Sequence, residues 1–142
     1  MKMRIRIFCA GKLKESFYRE ACEEFMKRLS RERIEIIEIR DSTPGKEAGE
    51  IKRKLKNEFL VVLDESGIVK TSGELAEFIK NFQGDLAFVI GGPNGISKEL
   101  KEKADLLLSM SKMTFPHELA RVILLEQIYR AFMINQNKVY HR

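Results

Sequence analysis

Two uninterrupted apolar runs constrain the fold of this chain more than any other feature: Phe59-Leu60-Val61-Val62-Leu63 and Leu86-Ala87-Phe88-Val89-Ile90. Five consecutive apolar residues bounded by polar or glycine-rich stretches are too short for a buried helix. They fit a strand covered on both faces, which is the habit of parallel sheets with helices on either side. The second run breaks directly into Gly91-Gly92-Pro93-Asn94-Gly95. A strand that ends in glycines leaves backbone N–H groups bare beside a cleft.

The remaining periodicities agree with such a sheet. Met3 to Cys9 alternates apolar and basic residues and stops at Ala10-Gly11, a first strand. From Ser16, the residues Phe17, Tyr18, Ala21, Cys22, Phe25, Met26 and Leu29 fall at helical spacing. Ile34, Ile36, Ile37 and Ile39 form a second strand closed by Asp41-Ser42-Thr43-Pro44-Gly45, and Lys46 to Lys56 reads as a charged, exposed helix. The strand at Phe59–Leu63 is expected to end in a turn at Asp64-Glu65-Ser66-Gly67. Ser72 opens a helix through Phe82, Ser97 caps a short helix to Ala104, and Leu106-Leu107-Leu108 is a fifth strand. Strands alternating with helices predict an α/β domain with a mostly parallel sheet and helices on both faces, spanning residues 1–142 as one unit. Ligands in such sheets sit beyond the carboxyl ends of strands, so the segments after Leu63, Ile90 and Leu108 should meet at one edge.

The last helix differs from the others. Leu119, Val122, Ile123, Leu124, Leu125, Ile128, Tyr129, Ala131, Phe132 and Met133 occupy all its sides. A helix apolar all round needs cover on more than one side, and a second copy of the chain is the expected cover.

Charge and cysteine content exclude several classes. Lysines and arginines number 26 against 21 acidic residues, a net +5 that suits an acidic partner without requiring one. No apolar run approaches the roughly 20 residues of a membrane span, and the N-terminus has no signal-peptide core, so a cytoplasmic protein is expected. Cys9 and Cys22 are too few for a disulfide framework or a metal cage, so both are expected to be reduced, and no metal site is expected.

The glycine turn does not match G-x-G-x-x-G, and no Lys-Ser or Lys-Thr follows it at the spacing of a phosphate-binding loop. A nucleoside triphosphate would leave its charge unmet, which disfavours a nucleotide-binding regulator. An adenosine ligand without phosphates suits the turn better, with Leu63, Met110, Met113 and Phe115 as walls. On its own such a turn serves equally well as a plain strand-to-helix connector. Hydrolase chemistry has no support, because the only histidines are His117 and His141 and no nucleophile elbow is present. His117 opens the last helix after Pro116, where it can be either a reactive group or a helix-end residue.

Taken in series, these motifs are specific. Gly91-Gly92-Pro93-Asn94-Gly95, then Leu108-Ser109-Met110-Ser111-Lys112-Met113-Thr114-Phe115-Pro116-His117, then Arg121 through Tyr129-Arg130-Ala131 and the terminal Tyr140-His141-Arg142, closely resemble the ribosomal large subunit methyltransferase H family. The likeness extends to Gly11-Lys12-Leu13-Lys14 and so covers essentially the whole chain. Asn94 stands where many relatives carry Glu. The resemblance implies a SPOUT methyltransferase: an α/β fold with a deep C-terminal trefoil knot, assembled as a homodimer. It implies S-adenosyl-L-methionine as cofactor and N3 of a pseudouridine in helix 69 of the 23S rRNA as target, on the assembled ribosome. Carried over by position, the cofactor contacts are Leu63, Gly91, Met110, Ser111, Lys112, Met113, Thr114 and Phe115. Arg121, Tyr140, His141 and Arg142 become RNA contacts, and His117 or His141 the candidate general base. A side chain at Gly91 is expected to fill cofactor space. Two other readings stay open here: a SPOUT enzyme acting on another RNA such as tRNA, and a catalytically idle ribosome-associated RNA-binding dimer.

Overall fold

Strands β1 (Arg4–Ala10), β2 (Arg33–Ile39), β3 (Phe59–Val69), β4 (Leu86–Ile90) and β5 (Leu106–Ser109) form one sheet in the order β2-β1-β4-β3-β5. The computed structural model describes residues 2–141. All four strand pairings are parallel; Ile7, for example, lies between Ile36 and Phe88 in the register. The five connecting or terminal helices are α1 (Ser16–Arg28), α2 (Pro44–Lys54), α3 (Ser72–Asn81), α4 (Lys98–Lys103) and α5 (His117–Asn135).

Strand periodicity divides the core into two layers. Ile5, Ile7, Cys9, Val61, Phe88 and Ile90 point to one side, where they meet Cys22 of α1, Leu75 and Ile79 of α3, and Leu124, Leu125 and Ile128 of α5. Phe8, Ala10, Leu60, Val62, Ala87 and Val89 point to the other, against Ala48 and Ile51 of α2 and Leu100 of α4. The α/β class with helices on both faces is therefore as the apolar runs predicted. Each fully buried Phe, Leu or Ile contributes about 1.5–3 kcal/mol relative to exposure. Both cysteines are buried as free thiols. Burial pushes Cys9 up to about 12 and Cys22 up to about 11, with the Arg121 charge opposing it, so neither is a reactive thiolate.

Three expectations change. The charged helix is α2, and it starts earlier: Thr43 caps it by accepting from Lys46 N at 3.3 Å, and Pro44 opens its first turn. It is not merely an exposed element, since Glu47, Ala48 and Ile51 are buried. Strand β3 does not stop at Leu63 but runs to Val69, and Asp64-Glu65-Ser66-Gly67 is a bulge rather than a turn. Leu63 and Ile68 both pair with Leu108, so the residues between them are extra on the β3 side. Gly67 is required there, because a Cβ would lie 2.4 Å from the Leu107 carbonyl oxygen.

Helix α5 is the third change. It packs against both α1 and α3, and Leu124, Leu125, Ile128 and Ala131 are fully buried inside the single chain. Much of the cover that its composition demanded therefore comes from its own domain. Leu119, Ile123 and Met133 are half-buried without packing onto the core, so they are the apolar side chains left for another surface.

Candidate functional site

The carboxyl edge of the sheet carries a cleft of about 620 Å³, formed where β3, β4 and β5 deliver their chain to the surface. Its floor is the end of β4. Gly95 N donates to Gly92 O at 3.0 Å, closing a tight turn around Pro93 and Asn94, and Gly95 holds φ at +84°. Gly91 is enclosed by that turn: a Cβ there would sit 2.5 Å from Cγ1 of Ile96 and 3.2 Å from the Gly95 carbonyl carbon. The expectation that a Gly91 side chain would fill cofactor space is thus corrected. It would press into the loop behind the cleft and move the floor.

The bulge of β3 supplies one wall. Asp64 accepts from Ser66 N at 3.1 Å and also from the Ser66 hydroxyl, and Lys101 of α4 lies 3.1 Å from its other oxygen. The bulge is further latched to the segment after β5, because Thr114 Oγ1 donates to Glu65 at 2.7 Å and Lys112 Nζ reaches Glu65 O at 3.3 Å. That segment folds on its own serines: Ser109 Oγ donates to Ser111 O, and Met113 N donates to Ser111 Oγ, each at 2.9 Å. Met110, Ser111, Met113, Thr114 and Phe115 consequently face the cleft, with His117 at the first turn of α5 beside them.

Leu63 and Gly91 also line the cleft, so the expected cofactor residues come together except for Lys112, which points at the bulge carbonyls. Asp64, Glu65, Ile90 and Pro93 line it as well, on the strand end, glycine turn and segment after Leu63 expected at this edge but not named as cofactor contacts, and Ile96 follows the turn. No lysine or arginine is among the lining residues, whereas two carboxylates are. Apolar walls, bare backbone and carboxylates suit a ligand with a flat ring and positive charge, and repel a polyphosphate.

The expected RNA residues fall elsewhere. Arg121 is corrected outright: only 3% exposed, it donates to Glu38 at 2.7 Å and to the Gly11 carbonyl at 3.1 Å, so its guanidinium is not offered to a nucleic acid. Glu118, beside it, takes the Lys14 and Glu15 amides at 2.9 and 3.3 Å, fixing the chain where it enters α1. Tyr140 and His141 lie away from the cleft of their own chain. Tyr140 donates to Glu126 at 2.8 Å, and the His141 ring nitrogen Nδ1 is 3.0 Å from an Arg130 nitrogen. Arg142 lies outside the described residues. Among those residues, no group of three or more potential ligands could hold a metal ion, and no helix is long and apolar enough to cross a membrane.

Comparison with known proteins agrees with this geometry. Residues 3–141 match the family described as "Predicted SPOUT methyltransferase". The chain is 48% identical over 141 residues to Ribosomal RNA large subunit methyltransferase H of Synechococcus sp. (strain RCC307), covering 98% of this chain and 95% of that protein. It is 43% identical over 159 residues to the protein of the same name from Clostridium novyi (strain NT), covering 99% and 100%. Among solved structures, a probable methylase family protein from Haemophilus influenzae Rd KW20 superposes with a TM-score of 0.61 at 14% identity, over 100% of this chain and 72% of that one. The SpoU methyltransferase AviRb from Streptomyces viridochromogenes, solved in complex with AdoMet, gives 0.55 at 11% identity, over 94% of this chain and 59% of its own. At those identities the two structures bear on the fold alone.

Proposed function

The chain belongs to the ribosomal RNA large subunit methyltransferase H family of SPOUT methyltransferases, and we propose that it transfers a methyl group from S-adenosyl-L-methionine to N3 of a pseudouridine in helix 69 of the 23S rRNA. The observation that carries the cofactor reading is the cleft at the ends of β3, β4 and β5, with apolar walls and carboxylates but no lysine or arginine in its lining. S-adenosyl-L-methionine, when bound, supplies an activated methyl group on a positively charged sulfur. Leu63, Ile96, Met110 and Phe115 would wall the adenosine, and the backbone of Gly91 and of residues 110–115 would meet its polar edge. Glu65 would face the positive charge, Asp64 being already paired with Lys101.

The work left to the chain is positioning and proton removal. Alignment of nucleophile and methyl accounts for most of the acceleration available to such a transfer. N3 of the base carries a proton that must leave, and His117, which lines the cleft, would take it in this reading. His141 would serve only if it came from a second copy, because in its own chain it sits against Arg130. The proposal therefore includes a homodimer, a deep knot formed by the C-terminal segment, a single catalytic domain over residues 1–142, and action in the cytoplasm.

Mass mapping of 23S rRNA nucleosides from a strain lacking this protein tests the reading, alongside methylation of those ribosomes by the purified protein. Loss of one methyl mass from the helix 69 fragment, restored in vitro, is expected. An unchanged helix 69 fragment with methylation of tRNA instead would move the substrate to another RNA. No heat on titration with S-adenosyl-L-methionine would leave a non-catalytic RNA-binding protein.

A further inference from the structure

Next to the cofactor cleft, on the side away from β3 and β5, four cations stand free on the same sheet edge. Lys12 and Lys14 lie in the loop after β1, Arg40 in the loop after β2, and Lys46 in the first turn of α2. All four are exposed, and among the described residues none makes an ion pair or a side-chain hydrogen bond. Other cations near that edge are engaged: Arg121 is held by Glu38, Lys101 by Asp64, and Arg53 by Glu50 at 3.0 Å.

Strand register fixes how close this group is to the cleft. Cys9 pairs with Ile90 and Ala10 with Ile39, so Gly91, Ala10 and Ile39 lie nearly level on three neighbouring strands. At 4.7–4.9 Å per strand, the chain just before Arg40 is about 10 Å from the cleft floor. The residues between pack on one another along the sheet edge. A Cβ on Gly92 would lie 3.0 Å from Ala10 and 3.6 Å from Asp41, and a Cβ on Gly11 would lie 3.6 Å from Asp41. Beyond Asp41 a groove of about 640 Å³ opens, lined by Arg40, Ser42, Lys46, Gly49, Glu50 and Arg53. Of its carboxylates, Glu50 is tied to Arg53, while Asp41 stands at the groove's inner end facing the turn at Gly92.

We propose that Lys12, Arg40 and Lys46 form the track for the RNA backbone leading into the cleft, each meeting one phosphate while the target base enters beside Gly92. The inference rests on the methyltransferase reading above and adds where its RNA lies. Mobile, hydrated cations on one rim suit phosphates, which need charge but no fixed shape. The cleft itself has none, so the polyanion and the cofactor are kept to separate territories.

The test compares two triple variants of equal charge. Lys12→Ala/Arg40→Ala/Lys46→Ala removes the track; Lys54→Ala/Lys56→Ala/Lys103→Ala removes three exposed cations from the opposite, amino edge of the sheet. Binding to 70S ribosomes lacking the modification is measured by sedimentation between about 50 and 200 mM salt, and S-adenosyl-L-methionine binding by calorimetry. The track variant should bind ribosomes about tenfold or more weakly, with the log–log salt slope reduced by about 2–3. Its cofactor affinity should stay unchanged, and the amino-edge variant should stay within about twofold of wild type. Ribosome binding by the track variant within twofold of wild type, or an equal loss in both variants, overturns the track. Absence of cofactor binding by the wild-type chain would instead strike the methyltransferase reading, because the ribosome-binding comparison does not depend on it.

Discussion

Arg121 of α5 donates to Glu38 of β2 at 2.7 Å while its second nitrogen reaches the Gly11 carbonyl at 3.1 Å, so one guanidinium joins the last helix to the loop after β1 and the outer strand. This holds the cleft's flank in place, because His117 sits one helical turn before Arg121 and Glu118 clasps the amides of Lys14 and Glu15.

Replacing Arg121 by Met should therefore cost stability. Arg121 is buried but Glu38 is exposed and can be met by water, so the main loss is the donor to the Gly11 carbonyl, about 1–3 kcal/mol. Urea unfolding measures it. A variant with unchanged stability but weaker ribosome binding would restore Arg121 to the RNA surface.

Two positions on α5 should part company under the same substitution. Ile128 is 0% exposed within one chain, so Ile128→Glu should fail to fold or give a molten species. Ile123 is half-buried and does not pack on the core, so Ile123→Glu should fold and stay monomeric under conditions in which the proposed wild-type dimer forms. Circular dichroism and sedimentation velocity together separate the outcomes. A wild-type monomer at micromolar concentration would sink the homodimer.

Glu47 yields a pH prediction. Burial raises its pKa above the ordinary 4.5; the Ser42 amide, which it accepts at 2.8 Å, opposes this, and neighbouring Asp41 raises it further, with His117 lowering it. A folded pKa above the unfolded one means that the folded chain holds the proton more tightly. Stability is then greatest below about pH 4.5 on this group's account, and falls as pH rises through the folded value. Glu47→Gln keeps an acceptor for Ser42 and removes that titration. It should be more stable than wild type at pH 7 and show a flatter profile above pH 4.5. Equal stability curves for the two proteins would mean that the burial is not felt.

The layered architecture was legible because Phe59–Leu63 and Leu86–Ile90 are apolar on both faces, and only a covered parallel sheet accepts that pattern. The cleft was legible because Gly91 and the segment from Met110 to Phe115 follow such strands. What sequence could not reveal depended on long-range pairing. The bulge at Asp64–Gly67 is distinguished from a turn only by β5, whose Leu107 backbone lies against Gly67. Arg121 read as a surface cation because its partners, Glu38 and Gly11, are about eighty and more than a hundred residues away in the chain. The residues after Asn135 carry no apolar periodicity, yet Asn137, at φ 56°, turns the chain back and Lys138 N donates to Met133 O at 2.9 Å.

That folded-back end leads to the last prediction. Tyr140 is fixed by its bond to Glu126, by edge-on contact with Tyr129 at 4.8 Å, and by the Arg130 guanidinium 4.9 Å from its ring centre. His117 and Glu126 are nine positions apart on α5, so this platform lies about 13 Å along the helix from the end that borders its own chain's cleft. A tail in that place can act in chemistry only at a partner's cleft. Deleting Tyr140 to Arg142 should abolish methyl transfer while leaving affinity for S-adenosyl-L-methionine within about twofold, since neither Tyr140 nor His141 lines the cleft. Tyr140→Phe loses only the Glu126 bond, about 0.5–1.5 kcal/mol of stability, and should retain most activity. Mixed dimers carry the decisive comparison: a truncated chain with an intact cleft, paired with a full-length Gly91→Val chain whose cleft floor is displaced. Activity regained by mixing two separately inactive proteins is expected if the tail works across the interface. Full activity in the truncated protein alone would reduce the tail to a helix brace and leave His117 to remove the proton unaided.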